Sequence, residues 1–254
     1  MAAGSVMQSE ALLLDTYPNA RYAHSLRLIN TSYTGDAVSV RRSSDNADTA
    51  IGFDGGVLDL SALSAWCGSN DGFVARWYDQ SGNDRHLDQT TAARQPKIYD
   101  GSSAAVISDP SNNKPAMRVE KADAGTSEHK YWTLPSGSRR NGDRMFTAVV
   151  NKATTSTHLF ILDTYMTTDT TELIRMYGGN GWVLSSTGII SVDEAFLVTV
   201  DFRGTDSTLR VNATEVVSGN SGTTFTNVAE IGARNGGNEG SKDGYFQEVI
   251  DWDS

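Results

Sequence analysis

The chain has 254 residues and a formal net charge of −10, with 21 Lys and Arg against 31 Asp and Glu. A surface of that sign repels phosphate backbones and anionic lipid, which argues against nucleic-acid binding through a basic patch. Charged residues are only 20% of the chain, so Ser, Thr, Asn and Gly must supply much of the polar surface, a balance that leans towards β-rich extracellular or virion proteins.

The N-terminal stretch "MAAGSVMQSEALLL" lacks a basic start and a long apolar core, so no secretory signal is expected. Apolar runs such as Ala195 to Val198 are too short to span a bilayer, and no membrane insertion is expected. Residues 1–18 read as an N-terminal extension and residues 19–254 as one domain. Residues 19–30, with Tyr22, Ala23, Leu26 and Ile29 at three- and four-residue spacing behind Pro18 and Asn19, predict a helix. Residues 59–66 predict a second, with Asp59 or Ser61 as N-cap and Gly68 as stop. Cys67, the lone cysteine, lies among apolar residues and reads as a buried structural thiol. Most of the remaining pattern is β. Strands are predicted at 37–42, 144–151, 158–164, 172–177, 194–202 and 245–252, with a hairpin over 207–217. The segment "ISDPSNNKP" (107–115) reads as a long surface loop. Short strands at such spacing, without regular helices between them, predict an antiparallel β-sandwich or jelly roll and exclude a Rossmann or TIM architecture.

Residues 77–86, "WYDQSGNDRH", hold the residue types of a nucleophilic triad in Asp79, Ser81 and His86. Ser81 sits in a Ser-Gly-Asn turn and not in a Gly-x-Ser-x-Gly elbow, so the expectation is structural. Trp77 packs inward while Asp79 and Ser81 bond backbone N–H groups of the turn. Glycoside hydrolysis needs two carboxylates across a cleft. Glu172, Asp193, Glu194, Glu230, Glu239, Asp243 and Glu248 are the second-half candidates, and spacing does not choose among them. The glycine-rich "GARNGGNEGSKDG" (232–244) lacks the ending of a phosphate loop. Its Asn235, Asn238 and Asp243 offer oxygens and amides to sugar hydroxyls, with Asn180 another candidate, beside Tyr177 and Trp182, whose rings suit stacking on a sugar face. The same oxygens leave Ca²⁺ open, although no EF-hand pattern is present and no cofactor is required. His24, His86, His129 and His158 are too far apart in sequence for a zinc-ligand pattern.

Residues 22–99, above all "SYTGDAVSVRRSSD" and "WYDQSGNDRHL", resemble the N-terminal half of the α-L-arabinofuranosidase B catalytic domain, a concanavalin A-like sandwich also found in phage and marine-bacterial proteins. The resemblance implies a nucleophilic glutamate in an Asp-Leu-Glu-Asn run, a general-acid aspartate in a Gly-Gly-Asp loop before the last strand, and an adjacent cysteine pair at the sugar. This chain has no such run, carries Asn238 after Gly236 and Gly237, and has Cys67 alone. On those departures the expected role is a non-catalytic virion protein: a bacteriophage tail, fibre or capsid-decoration component, made in a host cytoplasm and used outside the cell. Its expected partners are other virion proteins and a host-surface glycan, bound by an oligomer or array. A glycoside hydrolase of the arabinofuranosidase type and a bacterial surface carbohydrate-binding module are the alternatives.

Overall fold

A computed structural model describes residues 11–120, 129–135, 143–151, 153, 158–161, 164–167, 173–177, 183–186, 191, 193–222, 230–234, 239–240 and 243–253. The first half contains α1 (Leu13–Thr16), β1 (Ala20–Ser25), β2 (Val38–Arg42), β3 (Asp48–Ile51), α2 (Leu60–Cys67), β4 (Gly72–Trp77), β5 (Lys97–Asp100) and β6 (Met117–Glu120). The second half contains β7 (Arg144–Asn151), β8 (His158–Ile161), β9 (Thr164–Thr167), β10 (Leu173–Tyr177), β11 (Val183–Ser186), β12 (Ala195–Phe202), β13 (Ser207–Val211), β14 (Thr214–Gly219) and β15 (Asp243–Asp253).

Strand β15 lies at the centre of one layer. Along one edge it pairs with β6 and then β1, along the other with β7, always antiparallel. Strands β12, β13 and β14 extend that layer beyond β7. The second layer runs β3, β2, β4, β5. Strand β6 also meets β5, with Arg118 opposite Lys97, so the layers join at that corner. Strands β8 to β11 form an antiparallel meander.

The alternation in the sequence explains which faces meet. Phe146, Ala148 and Val150 of β7 and Val198, Val200 and Phe202 of β12 are buried, while Met145, Thr147, Val149, Leu197 and Thr199 point to the other face. Val38, Val40, Val74 and Trp77 line the inside of the opposite layer. Trp132 bridges the two, 5.4 Å from Trp77 and 6.2 Å from Phe246. The molecule is thus an all-β antiparallel sandwich, with two short α-helices among the described residues.

Helix α2 follows its sequence signals: Asp59 accepts the Ala62 amide at 2.8 Å, and Gly68 ends the helix in a left-handed conformation (φ 57°). The helix expected over 19–30 is corrected. Residues Ala20–Ser25 form β1, and all six are buried. A strand covered on both faces loses the alternation that would mark it, so its apolar positions mimic helical spacing by chance. The expected surface loop at 107–115 is better anchored than a plain loop. Ser108 bridges Pro115, and buried Asp109 accepts bonds from Ser111, Asn151 and Gln247.

Candidate functional site

The Trp77–His86 segment folds as a structural corner. Asp79 accepts the amides of Ala23 (2.7 Å), Ser81 (2.9 Å) and Arg85 (3.0 Å) and the Ser81 hydroxyl (2.8 Å). Ser81 therefore donates to a carboxylate, and His86 Nδ1 accepts the Asp79 amide, so the three residues form no nucleophile–base relay. Gln80, a residue the sequence did not single out, does most of the stitching. Its oxygen accepts the Ile29 amide and its nitrogen donates to the carbonyls of Ser25 and Arg27. Asn83 donates to the carbonyls of Ala20 and Arg21. Together they occupy the edge of β1 that β15 leaves open.

Cys67 is buried, and burial pushes its thiol up to about 11, which leaves it protonated and unreactive at neutral pH. Among the proposed carboxylates, Glu248 is held by Arg27 (2.9 Å) and the Ser25 hydroxyl (2.9 Å). Asp193 and Glu194 are exposed, and Glu230 is buried. Glu172 lies outside the described residues, as does the side chain of Glu239.

Of the six residues expected to contact a sugar, Asn180, Trp182, Asn235 and Asn238 lie outside the described residues. Tyr177 closes β10, its Cα opposite Val183; its side chain lies outside the description. Ala233–Arg234 pairs with Glu239–Gly240 as a hairpin, β8 packs beside it, and β9 lies between β8 and β10.

Asp243 is the sixth, and it opens β15. Its carboxylate receives two bonds from Arg118, from Nε and Nη2, each at 2.9 Å. Glu120 lies opposite Asp243 in the β6–β15 register, and its Oε2 is 3.5 Å from the same Arg118 Nε. The alternation of β6 puts Met117 and Val119 into the core and Arg118 and Glu120 outside, which is why both carboxylates reach one guanidinium. Directly opposed residues in an antiparallel pair have Cβ atoms about 4.5–5.5 Å apart. The Asp243 bond raises the Arg118 pKa, keeping the guanidinium charged. Next to it Tyr245, opposite Arg118, is pushed up chiefly by burial, with Arg118 opposing that shift. Two carboxylates, a fixed cation and a phenol thus share one partly exposed strip: Glu120 is 35% and Asp243 16% exposed.

Comparison with known proteins places the chain. The family model described as "Alpha-L-arabinofuranosidase B, catalytic" matches residues 16–155. An α-L-arabinofuranosidase of Hypocrea jecorina is 41% identical over 69 residues, 26% of this chain and 14% of that protein. Aspergillus niger α-L-arabinofuranosidase B is 39% identical over 82 residues, 31% of this chain and 16% of that protein. The matched segments therefore span less than a fifth of those relatives' length. In fold, an arabinofuranosidase complexed with arabinofuranosyl-α-1,2-xylobiose superposes with a TM-score of 0.64 at 16% identity, covering 92% of this chain and 59% of that one. A GH54 α-L-arabinofuranosidase soaked with a cyclic sulfate inhibitor gives 0.59 at 18% identity, with 92% and 60% covered.

These matches overturn the expectation of a non-enzymatic virion protein and the phage vocabulary attached to it. That expectation rested on the missing Asp-Leu-Glu-Asn run, Asn238 where the resemblance implies an aspartate, and the lone cysteine, with the acidic surface and the missing signal peptide taken as consistent with it. None of these excludes hydrolysis, because the chemistry asks for two carboxylates at the right separation and not for a particular run. Matched by the family model over more than half of its length, the chain belongs to the α-L-arabinofuranosidase B catalytic-domain family.

Proposed function

We propose that the chain is a glycoside hydrolase acting on α-L-arabinofuranosides. The observation that carries this reading is the family match over residues 16–155, which includes Arg118 and Glu120. The strip around Arg118 supports it chemically. Retaining glycosidases hold their two carboxyl groups about 5–5.5 Å apart, one giving and taking the proton while the other attacks the anomeric carbon. Glu120 and Asp243, opposed in register and both within 3.5 Å of one nitrogen, suit that spacing. Glu120, held by the longer contact, is the freer group and the proposed proton donor. Asp243, fixed by two bonds, is the proposed group facing the anomeric centre. Asn235, Asn238, Tyr177, Asn180 and Trp182 are proposed to bind the sugar from the neighbouring loops.

The test is release of 4-nitrophenol from 4-nitrophenyl α-L-arabinofuranoside. The wild-type chain should turn it over, and Glu120→Gln and Asp243→Asn should each lower kcat by about 10²–10⁴-fold. Full activity in both variants would reduce the strip to a sheet-surface ion pair and move the catalytic pair elsewhere. No turnover by the wild type on this substrate or on arabinoxylan would sink the hydrolase reading itself.

A further inference from the structure

The outer face that carries the Arg118 strip carries a second feature further along β15, beyond the 107–115 segment, where Asp109 is bonded to Asn151 and Gln247. Two hollows of about 470 and 720 Å³ adjoin there and share Arg27, Val149 and Glu248 as lining residues. Their floor is the outward row of β7 and β12, including Met145, Thr147, Leu197 and Thr199. Tyr17, which is 61% exposed, and Trp252 wall one end; the Trp252 indole is held by a bond from its Nε1 to the Tyr17 carbonyl (3.3 Å). Asn112 and Pro115 wall the other. Along β15 the trough runs from Trp252 to Gln247, about 17 Å at the usual strand rise.

We propose that this trough binds a neutral oligosaccharide chain, at a site separate from the hydrolytic one and independent of turnover. Charge is the first reason. Among the described lining residues Arg27 is paired with Glu248 at the middle (2.9 Å) and Asp253 with Arg21 at one end (3.1 Å), which leaves the ammonium of Lys114 at the far rim. An anionic ligand meets no concentrated counter-charge. Amphipathy is the second. Sugar rings present C–H faces that suit Tyr17, Trp252 and Leu197, while their hydroxyls both donate and accept. They can therefore bond the outward edges of the Arg27–Glu248 pair and the Thr147 and Thr199 hydroxyls without breaking that pair. A flat protein surface lying on the trough would instead desolvate Arg27, half exposed at present, with little in return.

Xylohexaose, a linear neutral pentose chain, is the probe, with binding measured by titration calorimetry and by Trp fluorescence. Tyr17→Ala and Leu197→Asp change side chains that are already exposed, and thermal unfolding checks that both fold. The wild type should bind, and each variant should weaken binding by about tenfold, the worth of one ring or apolar contact. The proposal fails if the wild type does not bind at any soluble concentration, or if both variants bind as well as the wild type. It also fails if sedimentation shows a dimer that Leu197→Asp disperses, which would make this face a self-association surface. Binding that is lost in Tyr17→Ala, in a protein that never hydrolyses 4-nitrophenyl α-L-arabinofuranoside, would leave the trough standing and remove only the hydrolase reading.

Discussion

Gln80 has no exposed surface, and its side chain bonds three backbone groups across more than fifty positions of sequence. Truncating it leaves the buried Ile29 amide and Ser25 carbonyl without that partner, each of which costs about 1–3 kcal/mol, and also frees the part-buried Arg27 carbonyl. Gln80→Ala should therefore lower unfolding free energy in urea by about 3 kcal/mol or more; a loss below about 1 kcal/mol would mean that water replaces the amide. His24, sealed between Tyr22 and Trp77, gives a pH-dependent counterpart. Burial pushes it from 6.5 down to about 4, with Asp79 opposing that shift and His86 adding to it. The unfolded chain then binds the proton more readily than the folded one, so stability is full above pH 6.5 and falls as the pH drops towards 4. The loss is at most about 3 kcal/mol. Asp45, lowered to about 2 mainly by its Arg42 bond, acts only at more acidic pH and leaves that window to His24. His24→Leu should flatten the dependence between pH 6.5 and 4 in chemical-denaturation curves, and an unchanged slope would assign it to other groups.

The elements show what alternation can and cannot reveal. β7 and β12 were legible almost to the residue because one face is core and the other is open. β1 was not, because both its faces are buried and the alternation is lost, while Gln80 and Asn83 stand in for a second neighbouring strand along its outer edge. Nothing in residues 20–25 announces partners that lie some sixty positions downstream. Helix α2 was legible through its caps, yet the contact that seats it was hidden. Gly72 at the start of β4 lies so close that a Cβ there would stand 2.7 Å from Cys67 Sγ and 3.0 Å from Tyr99 Cβ. Gly72→Ala should destabilise by about 1–3 kcal/mol through overpacking. Cys67→Ala in the same chain should restore part of the loss, read as a coupling in a double-mutant cycle. Additive effects would show that Tyr99 or Val40, whose Cγ1 would stand 3.1 Å away, and not the thiol, sets the limit.

At the scale of the whole molecule, the sandwich and its family were readable from residues 22–99, while the chemistry was misread. The missing glutamate run was taken as missing catalysis. The pair proposed for hydrolysis is instead a juxtaposition made by the sheet, Glu120 opposite Asp243, and these residues are more than 120 positions apart in the chain. Only strand register brings such a pair together, and no local motif encodes it. The same register governs how the protein is made. Because β15 lies between β7 and the β1 and β6 edge, the first strand of the sheet has no backbone partner on that side until residues 243–253 are synthesised. On the ribosome, β1 keeps that edge open from residue 25 until residue 243 is made and β7 from residue 151, so closure of the sandwich is a late and slow event. A chain released before β15 emerges would present those unpaired edges to its neighbours, and aggregation, more than simple loss of activity, is the failure to expect from premature termination.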